Sequence, residues 1–123
     1  MVVNKFLLDT NIILYLLGGR LAEHLPIGDY YVSVITEIEL LSYPNLDAKT
    51  EENIRSFLAQ LKLINLNNAI KTKAIQLRRE YKIKLPDAII VATALILNAP
   101  LLSNDLRLNK ISDLDCRQLK LLS

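Results

Sequence analysis

Four acidic side chains, Asp9, Glu39, Asp87 and Asp105, each sit within or at the end of an apolar run: Lys-Phe-Leu-Leu-Asp9, Ile35-Thr-Glu-Ile-Glu39-Leu, Leu-Pro-Asp87-Ala-Ile-Ile and Leu-Leu-Ser-Asn-Asp105. A carboxylate drawn into apolar surroundings is costly unless a cation compensates it. Brought together, the four would repel one another and raise some of their pKa values, and a divalent ion would relieve that repulsion. An all-oxygen donor set favours the hard ions Mg²⁺ or Mn²⁺. The chemistry of such a centre is phosphodiester hydrolysis. The ion lowers the pKa of a bound water, orients it for in-line attack and neutralises charge on the phosphate and the leaving oxygen. No histidine or arginine finger is required.

Each acid also has a harmless reading when taken alone. Asp9 can cap a helix that begins near Asn11, and Asp87 can satisfy free amides and the dipole at the start of another. Glu39 shares its segment with Glu37, which points the other way, and Asp105 can belong to a turn with Asn104. The set carries more weight than any member.

Elements that would position these acids follow from the apolar periodicity. A first strand is expected over Asn4 to Leu8, then, past Asp9, a helix through Ile12, Ile13, Tyr15, Leu16 and Leu17 that Gly18 and Gly19 end. Tyr30 to Val34 reads as a strand, and Thr36 to Ser42 as a helix stopped by Pro44. Asp47 to Leu61 is amphipathic, with Ile54, Leu58 and Leu61 at helical spacing. Leu63 to Leu66 is a third strand. Asn67 or Asn68 caps a helix whose stripe is Ile70, Ala74, Leu77 and Tyr81, with Lys71, Lys73, Arg78 and Arg79 off the stripe as an RNA-facing or simply solvated face. Leu85 to Asn98 is a helix with Pro86 in its first turn, Pro100 to Ser103 a fourth strand and Arg117 to Leu122 a fifth. Strands alternating with helices imply a parallel sheet covered on both faces. In such sheets the functional crevice lies at the carboxyl ends of the strands, where the strand order reverses. Asp9 and Asp105 both follow strands, and the positions three, four and seven beyond Asp87 are Ile90, Val91 and Ala94, so that acid lies along a buried face.

The 123 residues fit one domain, 1–123, with no linker, repeat or low-complexity segment. The chain is 51% apolar, which points to some apolar surface meeting a partner chain. One cysteine, Cys116, and one histidine, His24, exclude a disulfide framework and leave too few soft ligands for zinc. The opening Met1 to Leu17 is apolar but is broken by Asp9, Thr10 and Asn11 and lacks a clear small-residue cleavage site, so a cytoplasmic protein is expected. The run Ala88 to Leu97 is far short of the roughly 20 residues that span a bilayer, and reads as a buried helix. Of the 13 acids, nine remain when these four are set aside, against 15 bases. A basic surface around an acidic centre suits a polyanionic partner.

The segments Leu-Leu-Asp9-Thr-Asn, Ser33-Val-Ile-Thr-Glu-Ile-Glu39-Leu, Leu-Pro-Asp87-Ala-Ile-Ile-Val-Ala-Thr-Ala and Leu-Ser103-Asn-Asp105 resemble, in order, the motifs of PIN-domain ribonucleases. The length resembles that of the VapC-type toxins of toxin–antitoxin pairs. The resemblance implies a PIN-like three-layer α/β/α sandwich with a central, mostly parallel five-stranded sheet. It further implies a metal-dependent endoribonuclease that hydrolyses RNA, forms a homodimer and is inhibited by a small cognate antitoxin. By motif position Asp9, Glu39, Asp87 and Asp105 are the metal-binding and catalytic acids, with Thr10, Asn11 and Ser103 as supporting polar groups. Glu39 rather than Glu37 matches because it precedes Leu40, and Leu108 stands where the family often has an aromatic.

Other chemistries find less support. A haloacid-dehalogenase-type phosphatase would want an aspartate where Asn11 stands. Neither a phosphate-binding loop nor a Gly-x-Gly-x-x-Gly turn is present, and His24, between Glu23 and Leu25, has no nucleophile elbow near it. The rival from another class is a PIN fold kept as an RNA-binding or protein-interaction module with little or no turnover.

Overall fold

Apolar residues that alternate along the first strand divide the interior into two cores. A computed structural model describes residues 3–123. In chain order the elements are β1 (Lys5–Leu8), α1 (Thr10–Leu17), β2 (Asp29–Ser33), α2 (Val34–Leu41), α3 (Ala48–Leu58), β3 (Lys62–Ile64), α4 (Asn68–Tyr81), α5 (Leu85–Leu97), β4 (Leu101–Leu102), a 3₁₀ helix (Leu106–Lys110) and β5 (Cys116–Arg117). Phe6 and Leu8 enter one core with Ile12, Ile13, Leu40, Ile54 and Leu102. Leu7 enters the other with Leu101 and the buried stripes of α4 and α5. Successive side chains of a strand point to opposite faces, so one four-residue strand serves both. The result is the three-layer α/β/α sandwich that the motifs imply.

The sheet runs β3-β2-β1-β4-β5 and every pairing in it is parallel. From β1 the chain moves outward through β2 to β3, then returns to the other side of β1 with β4 and β5. Strand order therefore reverses between β1 and β4, and their carboxyl ends border the crevice. Their junction is stitched by the amide of Asp9, which donates to the Leu102 carbonyl at 3.1 Å.

Helix ends follow local side-chain chemistry. Ser33 accepts from the amide of Ile35 at 3.1 Å, so α2 starts at Val34, two residues before the expected Thr36. Asp47 and Asn67 cap α3 and α4 by accepting from the amides of Thr50 and Ile70. Pro86 lies in the first turn of α5, and Asn98 ends that helix in the left-handed region at φ 55°.

The last three strands are shorter than the periodicity implies, β5 most clearly, and β1 starts at Lys5 rather than Asn4. Of the expected Arg117–Leu122 strand only Arg117 pairs with β4, joined by Cys116 just before it. Beyond them the Asn104 side chain takes over the backbone's partners. Its Nδ2 donates to the Leu119 carbonyl at 3.0 Å, and its Oδ1 accepts from the Leu119 amide at 2.8 Å. Leu121 then makes an isolated antiparallel bridge to Leu21. The expected Leu63–Leu66 and Pro100–Ser103 strands contract to Lys62–Ile64 and Leu101–Leu102.

One glycine fixes where β2 begins. A Cβ on Gly28 would lie 2.5 Å from the Asn4 carbonyl oxygen and 2.8 Å from the Phe6 ring. That same carbonyl accepts from the Asp29 amide at 2.7 Å, the first bond between the β1 and β2 segments. Gly28→Ala should lower stability by about 1–3 kcal/mol, the usual cost of overpacking. Chemical denaturation checks it, and an unchanged midpoint would show that the close approach is relaxed in solution.

Candidate functional site

Asp9 emerges from the end of β1 as the cap of α1. Its Oδ1 accepts from the Thr10 amide at 2.8 Å, and its Oδ2 accepts from the hydroxyl of Ser103, just past β4, at 2.6 Å. Ser103 is fully buried, and its Oγ also accepts from the Asp105 amide at 3.1 Å. The seryl group thus couples the two acids that follow the two strands bordering the crevice. Both roles considered for Asp9, helix cap and member of an acidic cluster, hold at once.

Asp87, in the first turn of α5, and Asp105 complete a corner of three carboxyl groups. Burial raises the pKa of Asp9. The Ser103 and Thr10 bonds oppose that rise, and the charges of Asp87 and Asp105 add to it. Burial likewise raises Asp87, with Asp105 adding and Arg107 and Lys84 opposing. Asp105 moves the other way, lowered chiefly by its hydrogen bonds to the Arg107 side chain. The aspartates feel one another's charge, which is what a shared site requires.

Glu39 joins through Thr10. The buried Thr10 hydroxyl lies 2.8 Å from Glu39 Oε1 and 3.0 Å from the Thr36 hydroxyl. It has one proton to give, and the charged acceptor is the stronger claimant. Thr10 therefore donates to Glu39 and receives from Thr36. Glu39, not Glu37, makes this contact, and Thr10 and Ser103 are both within the bonded network. Asn11 is exposed on α1 and, among the described residues, takes no part in these bonds.

Arg107 had no place in the sequence reading. Its Nε lies 2.9 Å from Asp105 Oδ1, and its Nη2 lies 2.6 Å from Asp105 Oδ2 and 3.9 Å from Asp87 Oδ2. Asp105 also accepts the Arg107 amide at 3.0 Å, so the 3₁₀ turn it caps folds the arginine back onto it. A base two residues after a turn-forming acid was the available signal.

The donor chemistry fits a hard divalent ion: oxygen only, two carboxyl groups held above their ordinary range, and a guanidinium already drawn in as a counter-charge. Among the described residues no three acidic, histidine or cysteine side chains stand at metal-ligating separation. Beside the corner, a cleft of about 150 Å³ is lined by Asp87 and by Lys82, Lys84, Arg107 and Lys110. Bases therefore flank the acids, as a polyanionic partner requires. A wider hollow of about 490 Å³ lies at the opposite, amino ends of β1 and β4, and its acid, Asp115, is paired with Arg117.

The remaining singled-out groups take quieter roles. Arg78 of α4 donates to the Ile83 carbonyl at 3.2 Å, and His24 is exposed in a loop. Burial and the charges of Asp9 and Asp105 push the Cys116 thiol up, which keeps it protonated and unreactive.

Because the Asp9 carboxyl titrates higher folded than unfolded, the folded protein binds that proton more tightly. Stability therefore falls as pH rises from the unfolded pKa to the folded one. The Ser103 bond limits this loss. Ser103→Ala should lower stability at pH 7 by about 1–3 kcal/mol, the range for a hydrogen bond to a charged group, and by less once Asp9 is protonated. Denaturation at pH 7 and pH 4 checks this, and an equal deficit at both would show that the bond does not discriminate between the charged and neutral carboxyl.

The PIN domain family matches residues 6–114. A chain of a toxin–antitoxin complex from Klebsiella pneumoniae is 33% identical, covering 88% of this chain and 93% of that one with a TM-score of 0.73. A chain of VapBC-1 from nontypeable Haemophilus influenzae is 25% identical, covering 93% and 97% with a TM-score of 0.76. In VapBC2 from Rickettsia felis, bound to a DNA fragment from its promoter, a chain 21% identical shares the fold, covering 94% and 99% with a TM-score of 0.77. No curated protein sequence matches significantly. With the match running from β1 past the acidic corner, the chain belongs to the PIN-domain family.

Proposed function

We propose that this protein is a divalent-metal-dependent endoribonuclease and the toxin of a type II toxin–antitoxin pair. The observation that carries the nuclease reading is the gathering of Asp9, Asp87 and Asp105 at the reversal of strand order, with Glu39 attached through Thr10, in a PIN-domain chain. These four acids would hold Mg²⁺ or Mn²⁺, which supplies an activated water and neutralises phosphate charge when bound. Ser103 and the Thr10 amide fix the orientation of Asp9, and Thr10 fixes Glu39. Lys82, Lys84 and Lys110 line the cleft beside Asp87 and suit the backbone of an RNA strand.

The toxin assignment rests on the 33% identity to a chain of a toxin–antitoxin complex over most of both chains. Ile38, Leu85 and Leu106 are exposed and stand within two residues of Glu39, Asp87 and Asp105 respectively. Exposed apolar residues on the elements that carry the acids suit contact with a cognate antitoxin, and others, such as Ile75 and Ile96, suit a homodimer contact. Among the described residues no helix is long and apolar enough to cross a membrane.

Protein freed of any copurified peptide should cleave members of an RNA panel that includes transfer RNA, in Mg²⁺ or Mn²⁺ and not in chelator. Asp9→Asn and Asp87→Asn should each reduce cleavage on the order of 100-fold or more, as losses of groups acting at the reacting centre run, with circular dichroism unchanged. Stabilisation by metal without cleavage of any RNA would instead assign an RNA-binding or protein-interaction module.

A further inference from the structure

We infer that Arg107 is a built-in counter-cation of the acidic corner, one that a divalent ion must displace before Asp105 and Asp87 can bind it. The inference rests on the metal-dependent nuclease reading and adds to it a residue of this chain that sets how tightly the metal is held.

The geometry gives the guanidinium the place a metal would want. Nε and Nη2 lie 2.9 and 2.6 Å from the two oxygens of Asp105, and Nη2 is 3.9 Å from Asp87. A guanidinium and a divalent ion that share these carboxylates repel each other and compete for the same oxygens. Both Asp105 oxygens are taken by the fork and Nη2 also faces Asp87, so a metal that binds these oxygens has to displace the arginine.

Leaving is easy. The Arg107 side chain is 68% exposed, whereas that of Asp105 is 19% exposed, so the arginine reaches in from solvent and can return there. The fork makes this pair stronger than an ordinary surface pair, but its wet guanidinium is screened by solvent, so it steadies the acids when no metal is bound and still yields to a doubly charged ion. Arg107 also lines the basic cleft with Lys82, Lys84 and Lys110. Once displaced, it remains beside the surface that suits a phosphate backbone.

The chain contains its own control. Arg117 forks onto Asp115 with the same two-residue spacing, at 3.1 and 2.9 Å, but both partners are exposed and away from the acidic corner. Removing Arg117 should leave metal binding alone.

Titration of the full-length protein with MnCl₂ by calorimetry tests the inference. Arg107→Ala should bind Mn²⁺ roughly two- to fivefold more tightly than the unsubstituted protein, the effect of releasing one exposed ion pair. Arg107→Lys, which keeps the charge and loses the fork, should fall between them, and Arg117→Ala should match the unsubstituted protein. In thermal melts, metal-free Arg107→Ala should unfold at lower temperature and gain more on adding Mn²⁺. Equal or weaker Mn²⁺ binding by Arg107→Ala, in a protein whose RNA cleavage needs metal, overturns the displacement and leaves the nuclease reading standing. Absence of Mn²⁺ binding from every variant overturns both.

Discussion

A carboxyl group taken out of water must be met by hydrogen-bond donors or by a cation, and at Asp9 the donors present do not suffice. The Ser103 hydroxyl and the Thr10 amide both bind it, yet burial and the neighbouring aspartates still hold its pKa above the ordinary range. Much of the fold serves this arrangement. Parallel pairing of β1 with β4 sets Asp9 beside Ser103, and the reversal of strand order there opens the crevice. Thr10, one residue on, is buried so that its hydroxyl reaches Glu39 from α2. The first turn of α5 adds Asp87, and the turn after β4 adds Asp105.

The corner is divided in its electrostatics. Asp105 has its counter-charge in Arg107 and is pushed down, whereas Asp9 and Asp87 remain pushed up. The deficit of positive charge is therefore greatest at Asp9 and Asp87. A ring of lysines stands close by without pairing with the buried member: Lys84 eases Asp87, while Lys82 and Lys110 line the cleft. The raised Asp9 and Asp87 carboxyl groups, with lysines lining the cleft beside Asp87, are the features on which the proposed binding of a metal ion and a phosphate chain rests.

The parts of this arrangement that follow from periodicity could be read in the sequence. Alternation at Phe6, Leu7 and Leu8, the stripe Ile70-Ala74-Leu77 and the Pro86 start of α5 each bury a face whose pattern is local. Asp9, Asp87 and Asp105 stand out because acids in apolar runs need a reason, while the choice of Glu39 over Glu37 rests on the family motif, and the Thr10 hydroxyl meets Glu39. What escaped depends on side chains acting on distant backbone. Asn104 captures Leu119 and cuts β5 to two residues, so apolar residues that look like a strand do not pair as one. Arg107 drew no reading from the sequence, because only the 3₁₀ turn brings it onto Asp105. Asn11 matches a motif position but stays exposed, a reminder that motif membership and participation in a bonded network are separate matters.

The central claim is that Asp9 carries a charge deficit that a divalent ion fills, and carbon-detected NMR of its carboxyl group measures that directly. Followed against pH without metal, the Asp9 signal should titrate above the ordinary aspartate range; with Mg²⁺ added, the titration should move down, because a bound cation favours the carboxylate. An Asp9 carboxyl that titrates at its ordinary pKa and ignores Mg²⁺ would contradict the account.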